Sequence, residues 1–236
     1  YDIGFSSNKP YTILGNDSSQ ITDMNRDGVY DINLGGGADY IGSAKIGNED
    51  RIDLGSGNDF IALESNDFGS LNLSLLEGGE GSDWIGFNWG GSTSLLDEIT
   101  LNIAGATGFE NIFATHLDET VRGDSGENIL AGGGGVDFVY GGEGNDWLYA
   151  DGYPSDNRYR VGTSYDNDRL YGEDGDDILI GNAGDNILDG GLGSDRMIGG
   201  SGSDVFIIGH DQNNDNVDTI DDFENSDQIG LDGILI

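Results

Sequence analysis

The sequence predicts an all-β solenoid, because glycine, aspartate and a large apolar residue recur in fixed phase every nine residues. The clearest array spans residues 172–207 and reads GEDGDDILI, GNAGDNILD, GGLGSDRMI and GGSGSDVFI. Each unit opens with Gly, has a second Gly three places later, and has Asp or Asn two places after that. A large apolar residue then follows at Leu179, Leu188, Met197 or Phe206. A short period with three residue types held in phase is a solenoid signature.

The chain is strongly acidic. Its 236 residues include 45 Asp and Glu against 9 Lys and Arg, which gives a formal charge of −36. Low hydrophobicity with high net charge is typical of disordered chains, and a compact fold with this charge repels itself. Here, however, both the acids and the apolar residues are placed at a regular period. A bound cation that neutralises the acids reconciles these two facts.

Composition also excludes several classes of partner and fold. The negative charge disfavours nucleic acid and anionic membranes as partners. No apolar run reaches 18 residues, so we expect no membrane insertion. There is no cysteine, so disulfides and cysteine metal sites are excluded.

The N-terminal segment, 1–33, contains the loop DMNRDGVYD, with the spacing D-x-N-x-D-G-x-x-D. This spacing puts oxygen side chains on one side of a loop, and Gly28 permits a sharp turn, which resembles the calcium loops of EF-hand-like and integrin-type propeller repeats. It is not a full EF-hand, because Leu34 replaces the glutamate of the twelfth position. Either a cation site or an Asp-rich turn fits this loop. The candidate ligands are Asp23, Asn25, Asp27 and Asp31.

Repeat-like units begin in the block 34–86, where LGGGADYIG, LGSGNDFIA and GGEGSDWIG occur at irregular spacing. Residues 87–118 break the period, and we expect an intervening β segment there. The main block, 119–208, contains seven units and an insertion at about 150–167. The last segment, 209–236, is acidic and is expected to form a β cap, since the open end of a solenoid exposes apolar core and strand edges.

The chemistry of one unit follows from its residue types. In GGLGSDRMI the first six residues turn, and Arg196–Ile198 form a short strand. Glycines allow positive φ and close backbone approach, so that carbonyl oxygens can point at one spot. Asp195 adds a carboxylate there, while Met197 points into the core because strand side chains alternate. Calcium prefers six to eight oxygen ligands in flexible geometry, which carbonyls and carboxylates supply.

Two units would complete one coil of a flattened roll, so turns 18 residues apart stack. Asp177 then lies over Asp195, and Asn186 lies over Asp204. A cation between stacked turns would be shared by both, and we expect roughly five to nine calcium ions.

The candidate metal residues of the repeats share the G-x-G-x-[DN] element. Their acidic or amide members are Asp39, Asp59, Asp83, Asn128, Asp137, Asp146, Asp168, Asp177, Asn186, Asp195 and Asp204. Their glycines are Gly35, Gly37, Gly55, Gly57, Gly79, Gly81, Gly123, Gly126, Gly133, Gly135, Gly142, Gly144, Gly172, Gly175, Gly181, Gly184, Gly191, Gly193, Gly200 and Gly202.

This pattern resembles the RTX (haemolysin-type calcium-binding) family, strongly over 119–231 and moderately over 34–86. The resemblance implies a parallel β-roll with calcium in its turns and export by type I secretion machinery. It further implies a chain that is unfolded in low cytoplasmic calcium and folds outside the cell. The departures from the pattern, where weaker binding is expected, are Asn128 and Asn186 at the Asp position, Asp124, Glu173 and Asn182 at the second-Gly position, and Leu34 and Leu54 at the first.

We therefore expect a calcium-folded structural and secretion scaffold of an extracellular protein, and no enzyme. The two histidines are far apart, and no H-E-x-x-H or G-x-S-x-G motif occurs. A calcium-dependent carbohydrate-binding or adhesin module, with a glycan or cell-surface ligand, is the alternative. It is motivated by aromatic residues at outward positions, which another segment or a ligand would cover. These are Tyr40, Phe60, Trp84, Phe138 and Trp147.

Overall fold

The computed structural model describes residues 11–15, 20–21, 29–44, 46, 49–64, 74–88, 99–100, 107–152, 165–209, 217–231 and 234–235. All regular structure within these ranges is β-strand. The described residues contain no helix that is long and apolar enough to span a membrane. The chain forms two compact units. Unit 1 comprises Tyr1–Leu96 and Leu101–Ile112, and unit 2 comprises Asp97–Thr100 and Phe113–Ile236.

Unit 1 is built from short strands that alternate between two parallel sheets. One sheet has the order β1-β3-β5-β7, and β2, β4, β6 and β8 follow one another in the other. The strands are β1 (Tyr11–Leu14), β2 (Gln20–Ile21), β3 (Tyr30–Asn33), β4 (Tyr40–Ala44), β5 (Arg51–Ser56), β6 (Phe60–Glu64), β7 (Leu76–Glu80) and β8 (Trp84–Asn88), and β10 (Asn111–Phe113) lies at the boundary of the unit.

The core of unit 1 is a pair of aliphatic columns, one from each sheet. Ile41 is in register with Ile61, which is in register with Ile85, and all three are fully buried. Ile32 and Ile52 are paired in the same way in the other sheet. Identical positions of successive coils therefore stack, as expected for a solenoid.

Unit 2 repeats this architecture with a more regular period. Its strands are β9 (Ile99–Thr100), β11 (Thr120–Arg122), β12 (Ile129–Gly133), β13 (Phe138–Glu143), β14 (Trp147–Asp151), β15 (Arg169–Asp174), β16 (Ile178–Ile180), β17 (Ile187–Asp189), β18 (Arg196–Ile198), β19 (Val205–Ile208), β20 (Thr219–Ile220), β21 (Gln228–Leu231) and β22 (Ile234–Leu235). One sheet contains β12-β14-β16-β18-β20, and the other runs β9-β11-β13-β15-β17-β19-β21-β22. Only β21 and β22, among the strand pairs described, are antiparallel.

The predicted phase of the repeat is confirmed in unit 2. Leu179 pairs with Met197, and Leu188 pairs with Phe206, so equivalent residues lie 18 apart. All four side chains are fully buried. Each nonapeptide contributes one turn and one strand, two of them complete a coil, and the fold is the parallel β-roll that the sequence predicts.

The insertion leaves this register intact. Leu148 of β14 pairs with Leu179 of β16, although 31 positions separate them instead of 18. The described strands on either side of residues 153–164 therefore keep the register of the roll.

Within the segment 87–118, expected to be an intervening β segment, the described residues take part in strand pairing. Ile99–Thr100 pair with β11 of unit 2, whereas Thr107 bridges Glu77 in unit 1. The break in the nonapeptide period therefore does not end the strand pairing.

The C-terminal segment continues the roll before it closes it. Strand β20 pairs in parallel with β18, and β21 pairs in parallel with β19. Asp222 accepts hydrogen bonds from the backbone N–H groups of Gly199 and Gly200, at 2.9 and 2.8 Å. Arg196 forms an ion pair with Asp221. The final β21–β22 hairpin then ends the sheet, as expected for a cap that protects a strand edge.

Successive turns approach each other closely at their glycines. Gly193 has a φ of 138°, and a Cβ at this residue would lie 1.9 Å from the carbonyl oxygen of Gly175, one coil earlier. The same relation joins Gly202 to Gly184, with a distance of 2.0 Å. Left-handed backbone and absence of a side chain are both required at these positions.

We predict that Gly193→Ala lowers the free energy of unfolding by about 2 kcal/mol or more, since a Cβ there strains φ and overlaps a backbone carbonyl. The matched control is Gly126→Ala, at the same place in its own unit. The nearest atom to a Cβ at Gly126 is Asp124 Oδ1, at 3.4 Å. Denaturant unfolding in excess calcium measures both variants. An equal loss in the two would contradict the assignment of strain to the stacked turns.

Candidate metal sites

The acidic side chains at the sixth position of each unit form a buried ladder along the roll. Oδ1 of Asp195 accepts the backbone N–H of Asp177 at 2.9 Å, and Oδ1 of Asp177 accepts the N–H of Asp146 at 2.7 Å. Each carboxylate therefore ties its own turn to the turn one coil earlier. The same contact joins Asp39 to Asp59, Asp59 to Asp83, Glu119 to Asp137, Asn128 to Asp146, Asp137 to Asp168, Asp168 to Asn186 and Asn186 to Asp204.

The second carboxylate oxygen of many ladder residues is buried without a hydrogen-bond donor in the described structure. Asp83, Asp137 and Asp146 are each 0% exposed, and Oδ2 of each accepts no hydrogen bond. A buried polar atom without a partner costs about 1–3 kcal/mol, and more when it is charged. The further oxygens of this kind are Asp59 Oδ2, Asp177 Oδ2, Asp195 Oδ2 and Glu119 Oε2.

Three of these oxygens, those of Asp137, Asp146 and Asp177, lie beside backbone carbonyls of the next coil. Asp177 Oδ2 and the carbonyl oxygen of Gly190 are both 2.3 Å from the point where Gly172 would carry a Cβ. At Gly141 the corresponding distance is 2.4 Å to Asp146 Oδ2 and 2.7 Å to the carbonyl of Gly172. Two oxygens that bind one calcium ion lie within about 5 Å of each other, twice the Ca–O distance. Each pair meets this limit.

The electrostatics of the ladder favour neutralisation. Burial is the main cause that raises the pKa of Asp137 to about 9, and the neighbouring Glu119 and Asp168 carboxylates raise it further. Burial likewise raises the pKa of Asp177 and of Asp195 to about 7. Desolvation disfavours the charged form of a carboxyl group. At neutral pH these side chains therefore need either a proton or a cation.

The donor set fits calcium with mixed ligands. No three acidic or histidine side chains in the described ranges converge on a single point, so side chains alone do not form a cage. Each turn instead offers one carboxylate oxygen together with backbone carbonyls. Calcium accepts that combination of hard oxygen ligands at irregular geometry. The residues at the sixth position and the glycine turns would hold the ion.

The first glycine of a unit has a different role from the later two. Gly172, Gly181 and Gly190 lie directly under the ladder side chain, and a Cβ at Gly190 would be 2.3 Å from Asp195 Oδ2. They make room for the carboxylate or amide. The predicted site glycines with positive φ are Gly35, Gly37, Gly55, Gly57, Gly79, Gly81, Gly133, Gly135, Gly142, Gly144, Gly175, Gly184, Gly191, Gly193, Gly200 and Gly202. Gly123 lies beneath Asn128 Oδ1, whereas Gly126 is in more open space.

Two departures from the glycine pattern keep the glycine conformation. Glu173 has a φ of 73° and Asn182 has a φ of 64°. Asparagine enters this region more readily than most residues, whereas a glutamate there is uncommon. The turn geometry is therefore preserved at both units, even though the residue type is not.

The N-terminal loop is only partly covered. Asp23, Asn25 and Asp27 lie outside the described residues, so the predicted cation site there stays a prediction. Asp31 lies in strand β3, exposed to solvent and in register with Thr12 and Arg51.

The residue just before each ladder Asp forms a second ladder. This ladder was not predicted from the sequence. The backbone N–H of Ser194 donates to Asp176 Oδ1 at 2.8 Å, and the N–H of Asp176 donates to Asn145 Oδ1 at 2.9 Å. Asp185 accepts from Ser203 in the same way. The signal that could have revealed it is the frequent short polar residue at the fifth position. These residues bind the turns together at the surface.

The outward aromatic residues stack on one another from coil to coil. The rings of Tyr40 and Phe60 are 5.3 Å apart and nearly parallel. In unit 2, Tyr140 and Tyr171 stack at 4.7 Å. Trp147, at 43% exposure, is the most open of the five predicted outward aromatics. Tyr40 and Phe60 therefore cover part of each other's surface, and the expected cover by another segment or a second chain stays a prediction.

Comparison with known proteins agrees with this geometry. The family model of the RTX calcium-binding nonapeptide repeat matches the chain in four copies, over 47–65, 117–152, 163–197 and 171–206. No curated protein matches the chain significantly. Fold and site together define a calcium-binding β-roll. Its repeats are RTX calcium-binding nonapeptide repeats.

We predict that the calcium-free chain gains folded structure as the pH is lowered from 9 towards 5. Burial raises the folded-state pKa of ladder carboxyls above the unfolded value of about 4, so their contribution to stability is fully present below pH 4. These carboxyls are Asp59, Asp83, Glu119, Asp137, Asp146, Asp168, Asp177, Asp195 and Asp204. That contribution is lost as the pH rises through the folded pKa values, about 6 for Asp83 and about 9 for Asp137. Circular dichroism in chelator at several pH values measures this.

The control for the pH series is the same titration in excess calcium. Calcium binds the ionised carboxylates, so the fold should persist at high pH. A calcium-free chain with more β-structure at pH 9 than at pH 5 would contradict the role of the buried carboxyl groups.

Proposed function

We propose that this chain is a calcium-dependent folding module that serves as a structural and secretion scaffold of an extracellular protein. The observation that carries the proposal is the set of buried carboxylate oxygens without a donor, of which those of Asp137, Asp146 and Asp177 lie beside backbone carbonyls. The proposal starts from the calcium-binding repeats and the β-roll described above. Export and extracellular action are the proposed part.

Calcium binding offsets two unfavourable contributions to the free energy of folding. Closing the roll buries a column of carboxylates, and the net charge of −36 opposes compaction of the whole chain. Calcium supplies positive charge and oxygen coordination at the turns. Since the unfolded chain has no assembled turn, the free energy of calcium binding adds to the free energy of folding.

The ladder residue, the glycines and the strand residue of a unit have different roles in forming a site. The Oδ1 hydrogen bond, such as that from the N–H of Asp177 to Asp195, fixes the orientation of the carboxylate. Gly190, the first glycine of that unit, leaves room for Oδ2, and Gly193 brings the neighbouring turn close. The strand that follows buries Met197 and anchors the turn to the core. Folding therefore assembles the site, and the occupied site stabilises the fold.

Secretion fits these energetics. A chain that stays unfolded where calcium is scarce can pass through a narrow export channel, and the resemblance to RTX proteins implies type I machinery. Calcium outside the cell would then drive folding. The net charge of −36 supports this order of events, because repulsion keeps the metal-free chain open.

We predict that the calcium-free chain at neutral pH lacks the β-sheet signal and that calcium restores it cooperatively. The measurement is circular dichroism in EDTA, followed by a calcium titration. Magnesium at the same concentration is the control, because it requires near-ideal octahedral geometry and gives up water reluctantly. A β signal that EDTA leaves unchanged would overturn the proposal.

A carbohydrate-binding or adhesive role is the second candidate, and the exposure of Trp147 favours it. The indole is 43% exposed in the register of β14, between Ile129 and Ile178 of the adjacent strands. Exposed aromatic surfaces are enriched at binding sites. A sugar ring could stack on this indole in the calcium-loaded fold.

Trp147→Ala should then abolish calcium-dependent binding on a glycan array while leaving the circular dichroism spectrum unchanged. The matched control is Trp84→Ala in unit 1, whose indole is half-buried at the corresponding strand position. The absence of any calcium-dependent glycan signal for the wild-type chain would reject this second role.

A further inference from the structure

Asn186 occupies the ladder position of the unit 181–189, where most units carry aspartate. Its side chain is fully buried. Its Oδ1 accepts the backbone N–H of Asp168 at 2.9 Å, as the aspartates of the ladder do. Because an N–H group can donate only to the oxygen of the amide, this bond fixes which end of the amide faces the turn.

The amide nitrogen of Asn186 therefore takes the place of the unpaired carboxylate oxygen. Nδ2 donates to the carbonyl oxygen of Gly181 at 3.0 Å and to that of Gly184 at 3.4 Å. Nδ2 lies 2.8 Å from the Cβ position of Gly181, and Asp195 Oδ2 lies 2.3 Å from the same point at Gly190. Oxygen and nitrogen thus occupy equivalent places in the two turns.

A carboxylate and an amide differ in what they offer to the backbone carbonyls around the first glycine. A carboxylate oxygen beside carbonyl oxygens puts acceptors against acceptors, and a positive charge between them relieves the repulsion. An amide N–H₂ is itself a donor and satisfies the same carbonyls. In the turn 181–186, the side-chain amide therefore satisfies the carbonyls of Gly181 and Gly184 without a metal.

We propose that the side-chain amide of Asn186 substitutes for a calcium ion, so that the turn 181–186 closes without metal. This rests on the proposed calcium-dependent folding. The chain then contains a metal-independent turn between the carboxylate turns of Asp168 and Asp204.

Asn128, the other ladder asparagine, has the opposite orientation. Its Oδ1 lies 2.3 Å from the Cβ position of the first glycine, Gly123, and accepts the backbone N–H of Asp124 at 2.9 Å, while its Nδ2 donates to Asp124 Oδ1 at 3.3 Å. Oxygen therefore lies where Asn186 places nitrogen, and the inference concerns Asn186 alone. Asn128 precedes β12 and Asn186 precedes β17, so the two amide turns lie on opposite sheets of unit 2.

The test is the number of calcium ions bound by the full chain, counted by native mass spectrometry and by isothermal titration calorimetry. Asn186→Asp is expected to bind one ion more than the wild-type chain. It should also need a higher concentration of free calcium before it folds. The matched control is Asn145→Asp, the same substitution at an exposed residue that accepts a hydrogen bond from Asp176. Its ion count should equal that of the wild-type chain.

The reverse substitution, Asp195→Asn, should lose one ion and keep the β-roll spectrum in calcium. An unchanged count in Asn186→Asp would overturn the inference, and so would a failure of that variant to fold in excess calcium. If the wild-type chain binds no calcium at all, the proposed function itself fails. If the wild-type chain binds calcium and the two counts do not shift, only the role of Asn186 fails.

Discussion

The contact on which this structure depends is that between a buried carboxylate oxygen and the backbone carbonyls of the next turn. Without a proton or a cation, this contact sets acceptors against one another in a place that water does not reach. It recurs at Asp137, Asp146 and Asp177. The stability of the roll is therefore distributed along its length. At each such turn, repulsion between oxygens opposes folding, and coordination of an ion favours it.

The ladder hydrogen bonds make this contact specific. One oxygen of Asp177 is held by the N–H of Asp146, so the other oxygen has a fixed direction before any ion arrives. The same bond links neighbouring coils, and a change at one turn is transmitted to the next through the backbone. Stacked turns with nearest-neighbour bonds behave as a one-dimensional array, in which folding spreads from coil to coil.

Periodicity allowed the sequence to predict the roll, the buried column from Leu179 to Phe206, and the stacking of Asp177 on Asp195. These features depend on spacing alone. The ladder at Asp176 and Asn145 was not predicted, because it depends on which turn oxygen lies near which N–H group. The amide contacts of Asn186 also escaped prediction, since Asp and Asn look equivalent in a repeat pattern and differ only once a carbonyl faces them. The mutual stacking of Tyr40 and Phe60 likewise required the register of adjacent strands.

The insertion after Gly152 shows how freely this architecture accepts added sequence. Leu148 and Leu179 are paired in register, as residues 18 apart are elsewhere, although the chain between them is longer. The strands are therefore held by lateral pairing and do not depend on the length of the connection. Variation in length at this point of the chain is therefore compatible with an unchanged register in the described coils.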